Sequence, residues 1–149
     1  MRRILFVCTG NTCRSPMAEA LFRTLAAGSD WEVRSAGVAA YEGQPASQQA
    51  VQVLAECGID HNHQATRING DLILWADLIL TMAHSHKSLI VSYFPEAQQK
   101  VFTLKEYVGA NDGGDIADPF GGTVEEYRKC AREIQGLLDK LWAHLSRQQ

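Results

Sequence analysis

The chain has 149 residues, 46% of them hydrophobic and 21% charged, with a formal net charge of −3. That balance fits one soluble globular domain over residues 1–149, and it excludes a global basic field for nucleic acid or acidic lipid. No stretch reaches the apolar length of a bilayer span, and the run Ile4 to Cys8 is too short for a secretion signal, so a cytoplasmic protein is expected.

In chain order, "RRILFVC" (2–8) reads as a buried strand ending in a Gly/Asn turn. Ser15 is the expected N-cap of a helix opened by Pro16, with Met17, Leu21 and Leu25 at helical spacing and Gly28 as its stop. "WEVRSAGV" (31–38) alternates as a strand, and "ASQQAVQVLAECG" (46–58) is a second helix. A short helical segment, "NGDLILWA" (69–76), leads into the strand "ADLILTM" (76–82). "SHKSLIVSYF" (85–94) is helical up to Pro95, and "KVFTL" (100–104) is a last strand. From Thr123 on, Val124, Tyr127, Ala131, Ile134, Leu138, Leu141 and Leu145 mark one stripe of a long helix. Strands alternating with helices predict an α/β fold, a four-stranded parallel sheet covered on both faces.

In such sheets, ligands sit outside the carboxyl ends of the strands. The first turn there is Cys8-Thr9-Gly10-Asn11-Thr12-Cys13-Arg14-Ser15. If its backbone curls, the amides of Thr9 to Cys13 form an anion-binding nest, reinforced by the helix start. Gly10 is expected to take the strained backbone conformation, with Asn11 the next most tolerant. Arg14 closes the ring with a planar fork of donors, and the same positive field favours thiolate at Cys8. The rival reading is a small buried cysteine with a chance C-x5-R spacing. Its position after a strand and before a helix favours the phosphate site. No Walker-type loop or dinucleotide fingerprint occurs.

"CTGNTCRSP" (8–16) matches in full the signature of the low-molecular-weight protein tyrosine phosphatase family, and the chain resembles that family further in "RSAGV", "ADLILTM", "FTLKEY" and "DP" (118–119). Thr12 resembles the bacterial protein-arginine-phosphatase branch. The resemblance implies a metal-independent, cofactor-free phosphatase acting on phosphorylated proteins through a phosphocysteine. Cys8 would attack phosphorus, Arg14 and the loop amides would hold the oxygens, and Ser15 would bond the thiolate. Asn11 would keep the loop's shape, and Asp118 would be the general acid. Asp118 could otherwise begin a plain turn, and Asp115 is its rival. Cys13 is either a packing thiol or a redox partner for Cys8. Thr12 offers phosphoarginine a hydroxyl where an apolar residue would favour a phosphotyrosine ring, although threonine could also simply pack there.

Cys57 and Cys130 are read as core residues and the three tryptophans as packing. The pairs His61/His63 and His84/His86 have no acidic or thiol partner in sequence to complete a metal site, so hydrogen-bonding or solvated roles are expected. His63 falls near a family position that supports the loop. A thioredoxin-coupled arsenate reductase would need two further neighbouring cysteines, which are missing. A phosphate-reading module without turnover would have no use for the thiol and carboxylate together.

Overall fold

The computed structural model describes residues 2–110 and 114–147. The elements run β1 (Arg3–Cys8), α1 (Arg14–Leu25), β2 (Glu32–Gly37), α2 (Gln48–Glu56), α3 (Gly70–Trp75), β3 (Leu78–Thr81) and α4 (His84–Tyr93). A 3-10 turn (Pro95–Lys100), β4 (Val101–Thr103), α5 (Leu104–Tyr107) and α6 (Val124–Ser146) follow. The strands form one parallel sheet in the order β2-β1-β3-β4, the four-stranded α/β architecture that the alternation predicted.

Alternation along β1 sets the two layers. Ile4 and Phe6 join a core with α1, α2 and α6, whereas Leu5 and Val7 join a second core with α3, α4 and the 3-10 turn. The α6 stripe is buried at Tyr127, Ala131, Ile134, Leu138, Leu141 and Leu145. Phe22 anchors the first core, meeting Phe6, Trp31 and Trp142 edge-on with centroids 5.7, 6.5 and 5.9 Å away. Trp75 lies under Arg34, whose guanidinium sits 4.4 Å from the ring centroid.

From β1 the chain first crosses to β2 on one side and later to β3 on the other. The carboxyl end of β1 is therefore the topological switch point, and Cys8 sits on it. Side-chain caps open several helices: Ser47 accepts from Ala50 N, Asn69 from Leu72 N, and Thr123 from Glu126 N. α5, which the sequence pattern did not single out, begins with a full capping box between Thr103 and Glu106.

Two expectations are corrected here. Ser15 is not the cap of α1: the helix starts at Arg14 after Cys13, with no side-chain cap at all. Cys57 is not core but exposed, ending α2, while Cys130 is buried as expected. Burial pushes the Cys130 thiol up to about 12, the setting of an inert packing thiol. No helix among the described residues is long and apolar enough to cross a membrane.

Candidate active site

The loop from Cys8 to Arg14 is held by its neighbours. Val38 N donates to Cys8 O, Ala39 N to Thr9 O, and Ser47 N to Thr12 O, each at 2.9–3.0 Å. The left-handed residue is Asn11, with φ 56°, while Gly10 lies outside that region, contrary to the expectation from sequence. Asn is the side chain that tolerates this conformation best, because it bonds locally. Its buried side-chain amide fixes it there. Asn11 Nδ2 donates to Ser15 Oγ at 2.8 Å and Ser35 Oγ at 3.0 Å, and Oδ1 accepts from Thr66 N at 2.9 Å.

Cys8 is buried, and its Sγ lies 2.9 Å from Ser15 Oγ. Ser15 Oγ receives the Asn11 amide proton, and its own hydrogen has two acceptors in reach, the sulfur at 2.9 Å and the more distant Ala36 O at 3.4 Å. The bond to sulfur is the one the uncapped helix makes possible: Ser15 serves the thiol instead of α1. The amides of Gly10, Asn11, Thr12 and Cys13 find no acceptor among the described residues. Uncapped first-turn amides and free loop amides together form a site suited to an anion.

Arg14 is 5% exposed and closes this ring. Its Nη1 donates to Ile116 O at 2.8 Å and its Nη2 stands 3.5 Å from Asp118 Oδ2. Its Nε is buried without a hydrogen-bond partner, a donor held in reserve for a ligand oxygen. Asp118 is half-exposed and its other oxygen accepts from Phe120 N at 3.1 Å. Asp115 is committed elsewhere: its Oδ1 accepts from His84 N at the start of α4. The geometry therefore brings Asp118, rather than Asp115, to Arg14.

Thr9 is exposed and its Oγ1 meets His86 Nε2 at 2.9 Å. Burial first, then the Arg14 cation, lower the pKa of His86 to about 4 against the pull of Asp115 and Asp118. The ring is therefore neutral beside the cup. Thr12 is half-buried with its hydroxyl 3.6 Å from Cys13 Sγ. Cys13 Sγ lies 3.1 Å from Tyr127 OH on α6 and close to Ser47, the contacts of a loop-packing thiol.

Beneath the loop, His63 Nε2 meets Asn11 O at 2.7 Å, the supporting role expected of it. Burial lowers the His63 pKa, outweighing the Asn11 bond and the Glu19 charge. Burial would raise the Glu19 carboxyl, but contacts with His61, Ser35 and Arg23 hold it down at about 2. Here the sequence reading is overturned: the pair His61/His63 does have an acidic neighbour, Glu19, supplied by α1. Residues that sequence reasoning passed over as site-builders are Glu19, Ser35, Gly37, Thr66, His86 and Tyr127. For Ser35 and Gly37 the signal was present, since both lie in the matching stretch "RSAGV".

A thiol bonded by a serine, a ring of unspent amides and a buried arginine at a switch point form the site of a cysteine-dependent phosphatase. A family model described as low molecular weight phosphotyrosine protein phosphatase matches residues 3–149, and the chain belongs to that family. It is similar to the YwlE arginine phosphatase from Geobacillus stearothermophilus, with TM-score 0.96 and 50% identity over 100% of this chain and 96% of that one. A YwlE arginine phosphatase variant with a phosphorylated active-site serine superposes with TM-score 0.93 at 46% identity, over 97% and 95% of the two chains. The low molecular weight protein-tyrosine-phosphatase PtpB of Staphylococcus epidermidis is 40% identical over 139 residues, 93% of this chain and 96% of its own.

Proposed function

We propose that the protein is a cytoplasmic protein arginine phosphatase, removing phosphoryl groups from arginine in phosphorylated protein substrates. Cys8 attacks phosphorus as the thiolate, the P–N bond breaks, and Asp118 gives the departing guanidine nitrogen its proton. Water, losing a proton to Asp118, then cleaves the S–P bond of the phosphocysteine and releases phosphate. Arg14 and the loop amides hold the phosphoryl oxygens through both steps, and the Ser15 hydroxyl stabilises the sulfur as it leaves. The carrying observation is the alignment of Cys8 Sγ with Ser15 Oγ at 2.9 Å beside a buried Arg14 that also faces Asp118.

The arginine specificity rests on two supports. Relatives 47–50% identical to this chain are named protein-arginine-phosphatases. Thr12 also offers a hydroxyl beside the cup, able to bond a planar polar guanidinium, while Asp118 can pair with its charge. The second reading, phosphotyrosine, is favoured by relatives 53% and 40% identical that are named low molecular weight protein tyrosine phosphatases, and by the exposed Phe120 near Asp118, a ring on which tyrosine could stack.

Matched phosphoarginine, phosphotyrosine and phosphoserine peptides separate the two. The wild-type protein is expected to prefer phosphoarginine, and Thr12→Ile to shift the ratio of kcat/KM towards phosphotyrosine by at least about tenfold, about 1.4 kcal/mol of transition-state discrimination. A wild-type preference for phosphotyrosine, unchanged by the substitution, would favour the second reading.

A further inference from the structure

Glu19, His61 and His63 converge below the phosphate loop in a manner the phosphatase reaction does not use. His63 Nε2 lies 2.7 Å from a carbonyl oxygen, Asn11 O, which only accepts, so this nitrogen carries the ring proton. Nδ1 of the neutral ring then presents a lone pair, and it faces Glu19 Oε1 at 3.8 Å. His61 Nε2 stands 3.7 Å from the same oxygen. Both separations exceed hydrogen-bond length, and His61 Nε2 has no hydrogen-bond partner although its side chain is only 10% exposed. Two imidazole nitrogens and a carboxylate oxygen lie within 4.8 Å of one another, with the rings stacked at 5.4 Å.

We propose that Glu19, His61 and His63 form a binding site for a divalent transition-metal ion of the zinc class, separate from the catalytic cup. Two imidazoles and one carboxylate are a donor set that zinc takes, whereas magnesium and calcium favour oxygen alone. Bonds of about 2.0–2.2 Å to a tetrahedral ion bring ligand atoms to roughly 3.3–3.6 Å. Each histidine therefore needs to approach the Glu19 oxygen by only a few tenths of an ångström from 3.7 and 3.8 Å, with the two imidazole nitrogens drawn together from within 4.8 Å. The outer contacts are those that orient metal ligands. His63 donates its opposite N–H to Asn11 O, and Glu19 Oε1 accepts from Ser35 Oγ at 2.5 Å. Arg23 is engaged with the other carboxylate oxygen, Oε2, at 2.8 Å. The cluster opens on a cavity of about 590 Å³ that Asp60 and Asn62 also line, which gives the ion an entry path and room for a fourth, solvent ligand. An ion seated there would reach the loop at Asn11 by two routes, the bond from His63 to Asn11 O and the Ser35 hydroxyl that links Glu19 to the Asn11 side-chain amide.

Zn2+ titration by calorimetry and Co2+ titration by absorbance test this on the wild-type protein and on Cys8→Ser, which removes the thiol of the cup. The expected result is one ion per chain in both, with cobalt bands free of a thiolate charge-transfer absorption. His61→Phe preserves the stacking surface and is expected to weaken binding at least ~10-fold, at unchanged urea unfolding; Glu19→Gln should weaken it similarly. No binding up to about 1 mM, binding equal in His61→Phe, or a thiolate band lost in Cys8→Ser would overturn the site. The first of these would leave Glu19 and His61 as a plain electrostatic pair.

Discussion

Gly37 ends β2 beside Cys8, and a Cβ placed there would lie 2.5 Å from Thr9 O and 2.8 Å from Asn11 N. Real side chains do not come that close, so the loop can curl only because this residue has none. Gly10, inside the loop, is under no such restriction: its nearest neighbour would be Thr12 Oγ1 at 3.6 Å. Gly37→Ala is expected to destabilise the fold by about 1–3 kcal/mol, through overpacking, and to cut turnover at least tenfold. Gly10→Ala is expected to hold stability within about 0.5 kcal/mol. Urea unfolding of both variants checks this, and equal stability for the two would contradict the reading. The sequence pointed at Gly10 because loop glycines usually mark positive φ. Here the positive φ falls on Asn11, whose buried amide bonds Ser15, Ser35 and Thr66, partners that no local pattern brings together.

Elements were easier to read than the contacts between them. β1 and β3 are continuous apolar runs too short for helices, β2 begins with alternation, and the stripe of α6 repeats at the helical period, so all were visible from spacing alone. The start of α1 was not: Ser-Pro looks like a cap, but Ser15 is drawn inward by Cys8 and Asn11. Glu19 and the histidine pair come from α1 and a distant loop, more than 40 positions apart, and only the packing of one on the other joins them. α4 also braces the loop, through His86 and Thr9. The folded protein keeps His86 neutral down to about 4, whereas the unfolded chain takes up its proton near 6.5. Across that window the unfolded state holds more protons, so stability falls as pH drops from about 6.5 towards 4. By pH 5 the loss from this residue is on the order of 1–2 kcal/mol. In urea titrations at pH 7 and pH 5, His86→Asn is expected to lose less stability than the wild-type protein. An equal loss in both would show that His86 is not the group responsible.

At the scale of the whole molecule, a parallel sheet converges its strand ends on one edge, and the order β2-β1-β3-β4 opens that edge at β1. The segment carrying Asp118 closes over the same edge because Ile116 is pinned there, its N–H donating to Met82 O and its carbonyl accepting from Arg14. Two pieces of chain about a hundred residues apart thus meet around one anion site, with the thiol of Cys8 at its base. The direct test is to mix the protein with a phosphoarginine peptide, quench within milliseconds and weigh the digested enzyme by mass spectrometry. A single phosphoryl group on the peptide containing Cys8, absent in Cys8→Ala, is the expected result. Turnover at full rate by Cys8→Ala, or a phosphoryl group trapped on another residue of the wild-type enzyme, would contradict it.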